Sequence, residues 1–318
     1  DVAPSRGLGD VYKRQLYFVG AGGIGMSALV RYFLAKGYKV AGYDRTQSPL
    51  TTELKTEGLE IVYEESVESI PDYCRNPETT LVVYTPAIPA SHAGLVYFRE
   101  HGFRVVKRAE LLGLITQSSR GLCFAGTHGK TTTSSMAAHI FHESPIGCNA
   151  FLGGILRNYN SNLILSEQSP FTVIEADEYD RSFHWLHPYM AVVTATDPDH
   201  LDIYGTEEAY LESFAHFTSL IQPGGCLIMK KGIRLVPNVK EGVKIYTYSA
   251  RDGGDFHAGN IRIGDGTIVF DFVTPEGVFA DIELGVPVEI NIENAVAAMA
   301  IAWLNAVSYT HLTLPTIR

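Results

Sequence analysis

Short apolar runs alternate with longer, partly polar segments along the first third of the chain. The apolar runs predict buried strands at "LYFVG", "YKVAGYD", "LEIVY", "TLVVYT" and "FRVVK". A helix from about 23 to 36 follows the first strand, and a shorter helix follows the second. Strands that alternate with helices are typical of a doubly wound parallel sheet. The sequence therefore predicts a Rossmann-like α/β domain here.

A second series of strands begins at "RGLCFAG" and continues through "FTVIEAD", "MAVVTATD" and "GGCLIMK". Helices are predicted at about 130–142 and 206–221. The later segments "KIYTYS", "GNIRIGDGTIVFDF" and "VFADIELG" read as antiparallel strands, with a turn at Gly264-Asp265-Gly266. We expect domains at 16–114 and 115–306, the second a P-loop-type mononucleotide-binding α/β domain with extra antiparallel strands.

The two ends of the chain differ in character from the rest. Residues 1–15, "DVAPSRGLGDVYKRQ", and 307–318, "VSYTHLTLPTIR", resemble translated adapter sequence. We interpret both as non-native tails, with natural flexible termini as the alternative.

Composition and charge limit the number of domains, the partners and the location that the chain is expected to have. The 318 residues suit two domains, and 46% hydrophobic residues suffice for ordinary cores. A net charge of -10 argues against nucleic-acid and membrane partners, because either needs a basic face. The four cysteines are scattered without a C-x-x-C pair, which favours reduced thiols and a cytoplasmic location. Lys13-Arg14 and the following apolar run resemble the start of a signal peptide. Four glycines interrupt that run and no polar cleavage region follows it, which argues against secretion.

A first glycine loop lies between the first strand and its helix. Gly20, Gly22 and Gly25 have the G-x-G-x-x-G spacing, and Asp44 ends the next strand. Such glycines let a diphosphate approach a helix N-terminus, and Asp44 could accept from a ribose hydroxyl. In isolation the motif indicates NAD or another diphosphate nucleotide. A tight turn without a ligand is the alternative.

A second loop, "AGTHGKTTT", follows the strand "RGLCFAG" and opens a helix. The usual P-loop pattern would place its first glycine where this chain has Phe124. Gly126 and Gly129 still supply a loop whose N–H groups can cup phosphate oxygens. Lys130 can reach the terminal phosphates, and Thr131 can bind Mg²⁺.

Acidic side chains follow the next two predicted strands. They are Glu175, Asp177, Glu178 and Asp180 after one strand, and Asp197, Asp199, His200 and Asp202 after the other. Open parallel sheets place ligands at these strand ends, and hard oxygen ligands near a phosphate loop indicate Mg²⁺. Solvated acidic loops are the alternative.

Five motifs together resemble the Mur ligase family over residues 16–306. They are "FVGAGGIGMSAL", "AGTHGKTTT", "EADEYDRSF", "TDPDHLD" and "NIENAVAA", in the family's order and spacing. The resemblance implies that the first loop holds the diphosphate of a UDP-sugar instead of NAD. It also implies that the second loop holds ATP.

The resemblance carries site residues onto this chain. It implies UDP-sugar contacts at Gly20, Gly22, Gly23, Ile24, Gly25 and Asp44, and ATP contacts at Gly126, Thr127, His128, Gly129, Lys130, Thr131, Thr132, Asn291 and Asn294. It implies that Thr131, Glu175 and His200 bind Mg²⁺ and that Lys130, Glu175 and His200 are catalytic.

Two departures from the family pattern bear on these residues. Ile290 stands where the family often has histidine, and Asn291 can alternatively be a helix N-cap. No lysine occurs between His200 and Lys230. Several members of the family carry a carbamylated lysine in the helix that follows the matching histidine. This difference favours the alanine-adding branch.

The function implied is ATP-dependent amide formation through an acyl phosphate in cell-wall peptidoglycan synthesis, with UDP-N-acetylmuramate and L-alanine as substrates. Family members bind the amino acid with a third domain, which we expect after residue 306, so we expect this chain alone to be inactive. A recycling ligase that attaches a preformed peptide is the nearest alternative. A nicotinamide-dependent oxidoreductase or a P-loop switch would each leave one loop unexplained.

Overall fold

A computed structural model of the protein describes residues 15–251, 253–264, 266–284 and 288–307. These residues divide between Ser118 and Ser119 into two compact units, each with its own sheet.

The first unit contains one parallel sheet. Its strands are β1 (Gln15–Val19), β2 (Lys39–Tyr43), β3 (Glu60–Val62), β4 (Thr80–Tyr84) and β5 (Arg104–Lys107). Its helices are α1 (Ile24–Ala35), α2 (Pro49–Thr56), α3 (Ala93–Glu100) and α4 (Arg108–Gln117), with a short 3-10 helix at Asp72–Arg75. The strand order β3-β2-β1-β4-β5 has every pair parallel, which confirms the predicted doubly wound sheet.

The second unit contains a ten-stranded sheet. Its strands are β6 (Arg120–Ala125), β7 (Asn149–Leu156), β8 (Ser161–Ile164), β9 (Phe171–Glu175), β10 (Pro188–Val193), β11 (Cys226–Lys230), β12 (Lys244–Ser249), β13 (Phe256–Gly264), β14 (Thr267–Thr274) and β15 (Gly277–Leu284). The order is β15-β14-β13-β12-β11-β10-β6-β9-β7-β8. Parallel strands from β13 to β7 form the middle of the sheet, and antiparallel strands flank them at both edges.

The prediction of extra antiparallel strands is confirmed for β13, β14 and β15 but is wrong for β12, the segment "KIYTYS". This strand runs parallel to both β11 and β13. The connection from Lys230 to Lys244 is long enough for a crossover, so the chain re-enters the sheet in the same direction. The predicted turn between β13 and β14 includes Asp265, which lies outside the described residues.

Among the described residues, four helices accompany this sheet: α5 (Lys130–Glu143), α6 (Leu201–Tyr204), α7 (Glu207–Ser219) and α8 (Ile290–Leu304). A 3-10 segment, Tyr179–Trp185, follows β9. Helix α8 is buried along most of its length and packs against α5, β12 and β13. Helix α5, which follows the second glycine loop, is therefore covered by the last helix that the structure describes.

Two residues at the inner edges of the two terminal segments lie within the described structure. Gln15 pairs with Lys39 and Thr80 in the first sheet, and Val307 is buried. The interpretation of both segments as non-native tails stays a prediction, and the rest of both segments lies outside the described residues.

All four cysteines are buried and none forms a disulfide, in agreement with the predicted reduced thiols. Burial raises the pKa of Cys74, Cys148 and Cys226 to about 12. These thiols are protonated at neutral pH and serve as small apolar side chains in the core.

Candidate functional site

The first glycine loop lies at the carboxyl end of β1 and is bonded to the end of β2. The N–H groups of Gly20 and Ala21 donate to the carbonyl of Tyr43 at 2.8 and 3.0 Å. The N–H of Gly22 donates to Oδ2 of Asp44 at 2.7 Å. The carboxylate of Asp44 therefore holds the loop against β2. Its contact with a ribose hydroxyl stays a prediction.

Two of these positions accept only glycine. Gly20 has a φ of +90°, and a Cβ on Gly22 would lie 2.6 Å from Cγ2 of Thr51. Helix α1 then begins without a capping side chain, with Gly23 as its N-cap and the side chain of Ile24 half exposed. The predicted UDP-sugar residues 23–25 form this open helix start.

Arg108 lies over the first glycine loop and was missed by the sequence analysis. It is the first residue of α4, directly after β5, and a Cβ on Gly25 would lie 2.8 Å from its Nη1. Since the carboxyl ends of parallel strands meet at one edge of a sheet, the position after β5 could have revealed it. The arrangement places one cation at a loop suited to a diphosphate.

The second glycine loop, residues 126–129, connects β6 to α5. Gly126 has a φ of +139°, and a Cβ there would lie 2.2 Å from Oγ1 of Thr194. Gly129 has a φ of +85°, and a Cβ there would lie 2.8 Å from Oδ1 of Asn294. The loop therefore keeps the compact shape of a phosphate loop, although its first glycine has moved to position 126.

The residues between these glycines are braced by the segment after β10. The N–H of Thr127 donates to the carbonyl of Ala195 at 3.1 Å, and its hydroxyl donates to the carbonyl of Asp197 at 2.7 Å. The hydroxyl of Thr194 donates to the carbonyl of His128, whose side chain is exposed. These hydrogen bonds hold the backbone of the loop against the segment after β10.

Lys130 opens α5 and forms an ion pair with Glu178. Its Nζ lies 2.8 and 2.7 Å from the two carboxylate oxygens and donates to the carbonyl of Gly126 at 2.7 Å. The side chains of Lys130 and Glu178 are 14% and 1% exposed. Burial raises the pKa of Glu178, and the ammonium of Lys130 opposes this shift. In the sequence Glu178 is one of a cluster of acidic residues, and its pairing with Lys130 is not apparent there.

Thr131 and Glu175, two of the predicted metal ligands, lie beside the adjacent glycines of β7. Oε2 of Glu175 accepts from the N–H of Gly153 at 3.1 Å. A Cβ on Gly154 would lie 3.5 Å from Cγ2 of Thr131. A carboxylate and a hydroxyl are hard oxygen donors, so both fit Mg²⁺ chemically.

His200, the third predicted ligand, has a φ of +51° and precedes α6. Its ring lies against Tyr179 with the centroids 5.3 Å apart, and its Nε2 is 3.8 Å from Asp199. Within the described residues, no three His, Cys, Asp or Glu side chains form a group that could hold a metal ion. Binding of Mg²⁺ by Thr131, Glu175 and His200 therefore remains a prediction.

The two predicted adenine-side asparagines lie in the first turns of α8. Oδ1 of Asn294 accepts from the hydroxyl of Thr133 at 3.1 Å, and its Nδ2 donates to Oδ1 of Asn291 at 3.3 Å. Asn291 is not the N-cap, because α8 begins at Ile290 with Glu289 before it. Asn294 is buried against the second loop and its helix, whereas Asn291 is half-buried.

Each unit thus places a glycine loop between a parallel strand and a helix, and the second loop adds a lysine with the geometry of a P-loop. These features define an α/β protein with two sites of the nucleotide-binding type.

Comparisons with known proteins agree with this class. The profile of the Mur ligase family, catalytic domain, matches residues 15–120, and that of the Mur ligase middle domain matches residues 124–302. The chain belongs to the Mur ligase family, which confirms the resemblance seen in the sequence.

Two curated relatives are named UDP-N-acetylmuramate--L-alanine ligase. The protein of Parabacteroides distasonis is 69% identical over 92% of this chain and 63% of its own length. The protein of Phocaeicola vulgatus is 64% identical over 93% of this chain and 64% of its own length. The chain therefore spans less than two thirds of these relatives.

Solved structures share the fold. The UDP-N-acetylmuramate:L-alanyl-gamma-D-glutamyl-meso-diaminopimelate ligase of Neisseria meningitides has a TM-score of 0.80 at 21% identity, covering 94% of this chain and 95% of its own. The UDP-N-acetylmuramate-alanine ligase of Thermotoga maritima has a TM-score of 0.78 at 23% identity, covering 95% and 67%. Among the described residues, no helix is both long and apolar enough for a membrane span.

Proposed function

We propose that this chain is part of a cytoplasmic ATP-dependent ligase that joins L-alanine to the lactyl carboxylate of UDP-N-acetylmuramate in peptidoglycan precursor synthesis. The observation that carries the proposal is the second glycine loop with Lys130 at the start of α5. The curated relatives at 69% and 64% identity are alanine ligases, which favours alanine over a preformed peptide as the second substrate.

The first unit would bind the UDP-sugar. A diphosphate at the N-terminus of α1 would meet the uncapped helix start at residues 23–25, where the helix dipole favours anions. Gly20, Gly22 and Asp44 shape the loop through their bonds to β2 and to each other. Arg108 over Gly25 would add the positive charge that a diphosphate requires.

The second unit would bind ATP. Residues 126–132 would surround the phosphates, with Thr127, His128, Gly129 and Thr132 contributing backbone or hydroxyl groups around Lys130. The half-buried Asn291 would face the adenine, and Asn294 would hold α8 against the loop. Thr131, Glu175 and His200 would hold Mg²⁺, which when bound offsets the negative charge of the phosphates.

The reaction that suits these groups has two steps. The lactyl carboxylate attacks the γ-phosphorus, the bond to the β-phosphate oxygen breaks, and an acyl phosphate and ADP form. The amine of L-alanine then attacks the acyl carbon, loses a proton and expels phosphate. Lys130 would supply the ammonium that offsets the charge on the transferred phosphoryl group.

Calorimetry with three ligands tests the proposal. We expect the chain to bind UDP-N-acetylmuramate and ATP with Mg²⁺, and to give no heat with NADH. The variant Lys130→Ala should bind ATP more weakly and keep UDP-N-acetylmuramate affinity. Binding of NADH without any response to the UDP-sugar would instead support an oxidoreductase and refute the ligase.

A further inference from the structure

The ammonium of Lys130 is held from two sides. One N–H donates to the carbonyl of Gly126 at 2.7 Å, and the carboxylate of Glu178 lies 2.7–2.8 Å from the same nitrogen. An ammonium group has three N–H donors, so this arrangement leaves one donor for a phosphate oxygen. The direction of that third donor is set by the other two contacts.

The backbone of Glu178 is itself fixed. Its carbonyl accepts from the hydroxyl of Tyr204 at 2.5 Å and from the N–H of Arg181 at 3.0 Å. Two and three residues after Glu178, Asp180 and Arg181 have left-handed φ values of 49° and 54°. Such conformations persist in non-glycine residues where the surroundings impose them. The turn therefore fixes the backbone from which the carboxylate of Glu178 extends.

The same turn is connected to the second glycine loop by a second route. The ring of Tyr204 packs edge-on against that of Tyr210 with the centroids 4.8 Å apart. The hydroxyl of Tyr210 lies 3.0 Å from the hydroxyl of Thr127, within the loop. The guanidinium of Arg181 lies 4.6 Å from the centroid of the Tyr204 ring and covers it. These contacts therefore connect the second glycine loop to the turn that carries Glu178.

We propose that Glu178 is a positioning residue for ATP, which holds the Lys130 ammonium so that its remaining N–H faces the terminal phosphates. The inference rests on the proposed ATP site. Protein kinases place their phosphate-binding lysine with a glutamate ion pair in the same way. Burying such a pair costs desolvation energy and adds little net stability, so a positioning role accounts for it better than a stabilising one.

Calorimetric titration of the chain with ATP and with AMP, both with Mg²⁺, tests this role. We expect Glu178→Ala to weaken ATP binding about tenfold, the loss of one well-placed charge-assisted bond, and to leave AMP binding unchanged. Glu178→Gln keeps an acceptor at the same place and should recover part of the loss. Glu212→Gln, which removes one charge from an exposed position on α7, is the matched control and should bind ATP like the wild type.

A double-mutant cycle separates positioning from general structure. In a Lys130→Ala background, Glu178→Ala should have no further effect on ATP affinity, because Glu178 acts through Lys130. An equal loss in both backgrounds, or tighter ATP binding by Glu178→Ala, would overturn the inference. If Lys130→Ala does not fold, the ratio of ATP to AMP affinity of Glu178→Ala decides, and a wild-type ratio overturns it. Failure of the wild type to bind ATP would overturn the proposed function as well.

Discussion

Thr133 donates its hydroxyl to Oδ1 of Asn294 at 3.1 Å, and both side chains are buried. This bond connects α5, which carries the second glycine loop, to α8. Asn294→Ala would leave the Thr133 hydroxyl buried without this acceptor, at a cost of about 1–3 kcal/mol in the free energy of unfolding. Urea denaturation should show this loss. Asn291→Ala, one turn earlier and half-buried, should lower ATP affinity with little loss of stability, and equal destabilisation by both variants would contradict this division.

The ion pair of Glu178 predicts a pH dependence of stability. Because burial raises the pKa of Glu178 in the folded protein, the folded state binds this proton more tightly than the unfolded state. The stability gained from the proton is complete below the unfolded pKa of about 4.3 and is lost as pH rises through the folded pKa. As the pH falls from neutrality towards the unfolded pKa, wild type should gain stability relative to Glu178→Gln. Denaturation of both at several pH values measures the difference, and the opposite slope would mean that Lys130 outweighs burial.

Gly126 predicts a sharp intolerance to a side chain. Gly126→Ala would place a methyl group 2.2 Å from Oγ1 of Thr194 at a φ of +139°, so the loop must shift. We expect a loss of about 1–3 kcal/mol in the free energy of unfolding, with ATP binding abolished or strongly weakened. Gly277→Ala is the control, since a Cβ there meets nothing within 4 Å. Similar melting temperatures and ATP affinities for both variants would show that the loop can relax.

Arg108 predicts a selective effect on the UDP-sugar. Arg108→Ala removes the cation over Gly25, so affinity for UDP-N-acetylmuramate should fall roughly ten- to hundredfold while ATP affinity stays unchanged. Arg104→Ala changes the same residue type at the opposite end of β5 and should leave both affinities intact. Calorimetry at two salt concentrations should also show a smaller salt dependence for Arg108→Ala. Equal losses in both arginine variants would remove Arg108 from the site.

Much of the fold is readable from the sequence because its central strands are short apolar runs buried on both faces. Helix α4 escaped prediction because seven of its ten residues are buried, so no continuous polar stripe marks its period. Strand β7 escaped because Gly153 and Gly154 interrupt its apolar run. The direction of β12 depends on a crossover, which local pattern does not encode.

Some residues of the candidate site could also be identified from the sequence, and others could not. The two glycine loops and Lys130 are local in sequence, and their spacing identified them. The partners of these residues come from distant segments: Arg108 lies over Gly25, and Glu178 pairs with Lys130. Pairings of this kind depend on how parallel strands are ordered in the sheet, so composition and spacing did not reveal them.

The packing of α8 against α5 also has a consequence for folding during translation. Helix α5 ends at Glu143 and α8 begins at Ile290, so roughly 150 residues leave the ribosome between them, in about 8 to 30 s at typical rates of translation. During that interval the face of α5 that α8 will cover is exposed to solvent and to other nascent chains. The sheet of the first unit needs no residue beyond β5 and can form while this happens. The core of the second unit therefore stays incomplete until α8 has left the ribosome.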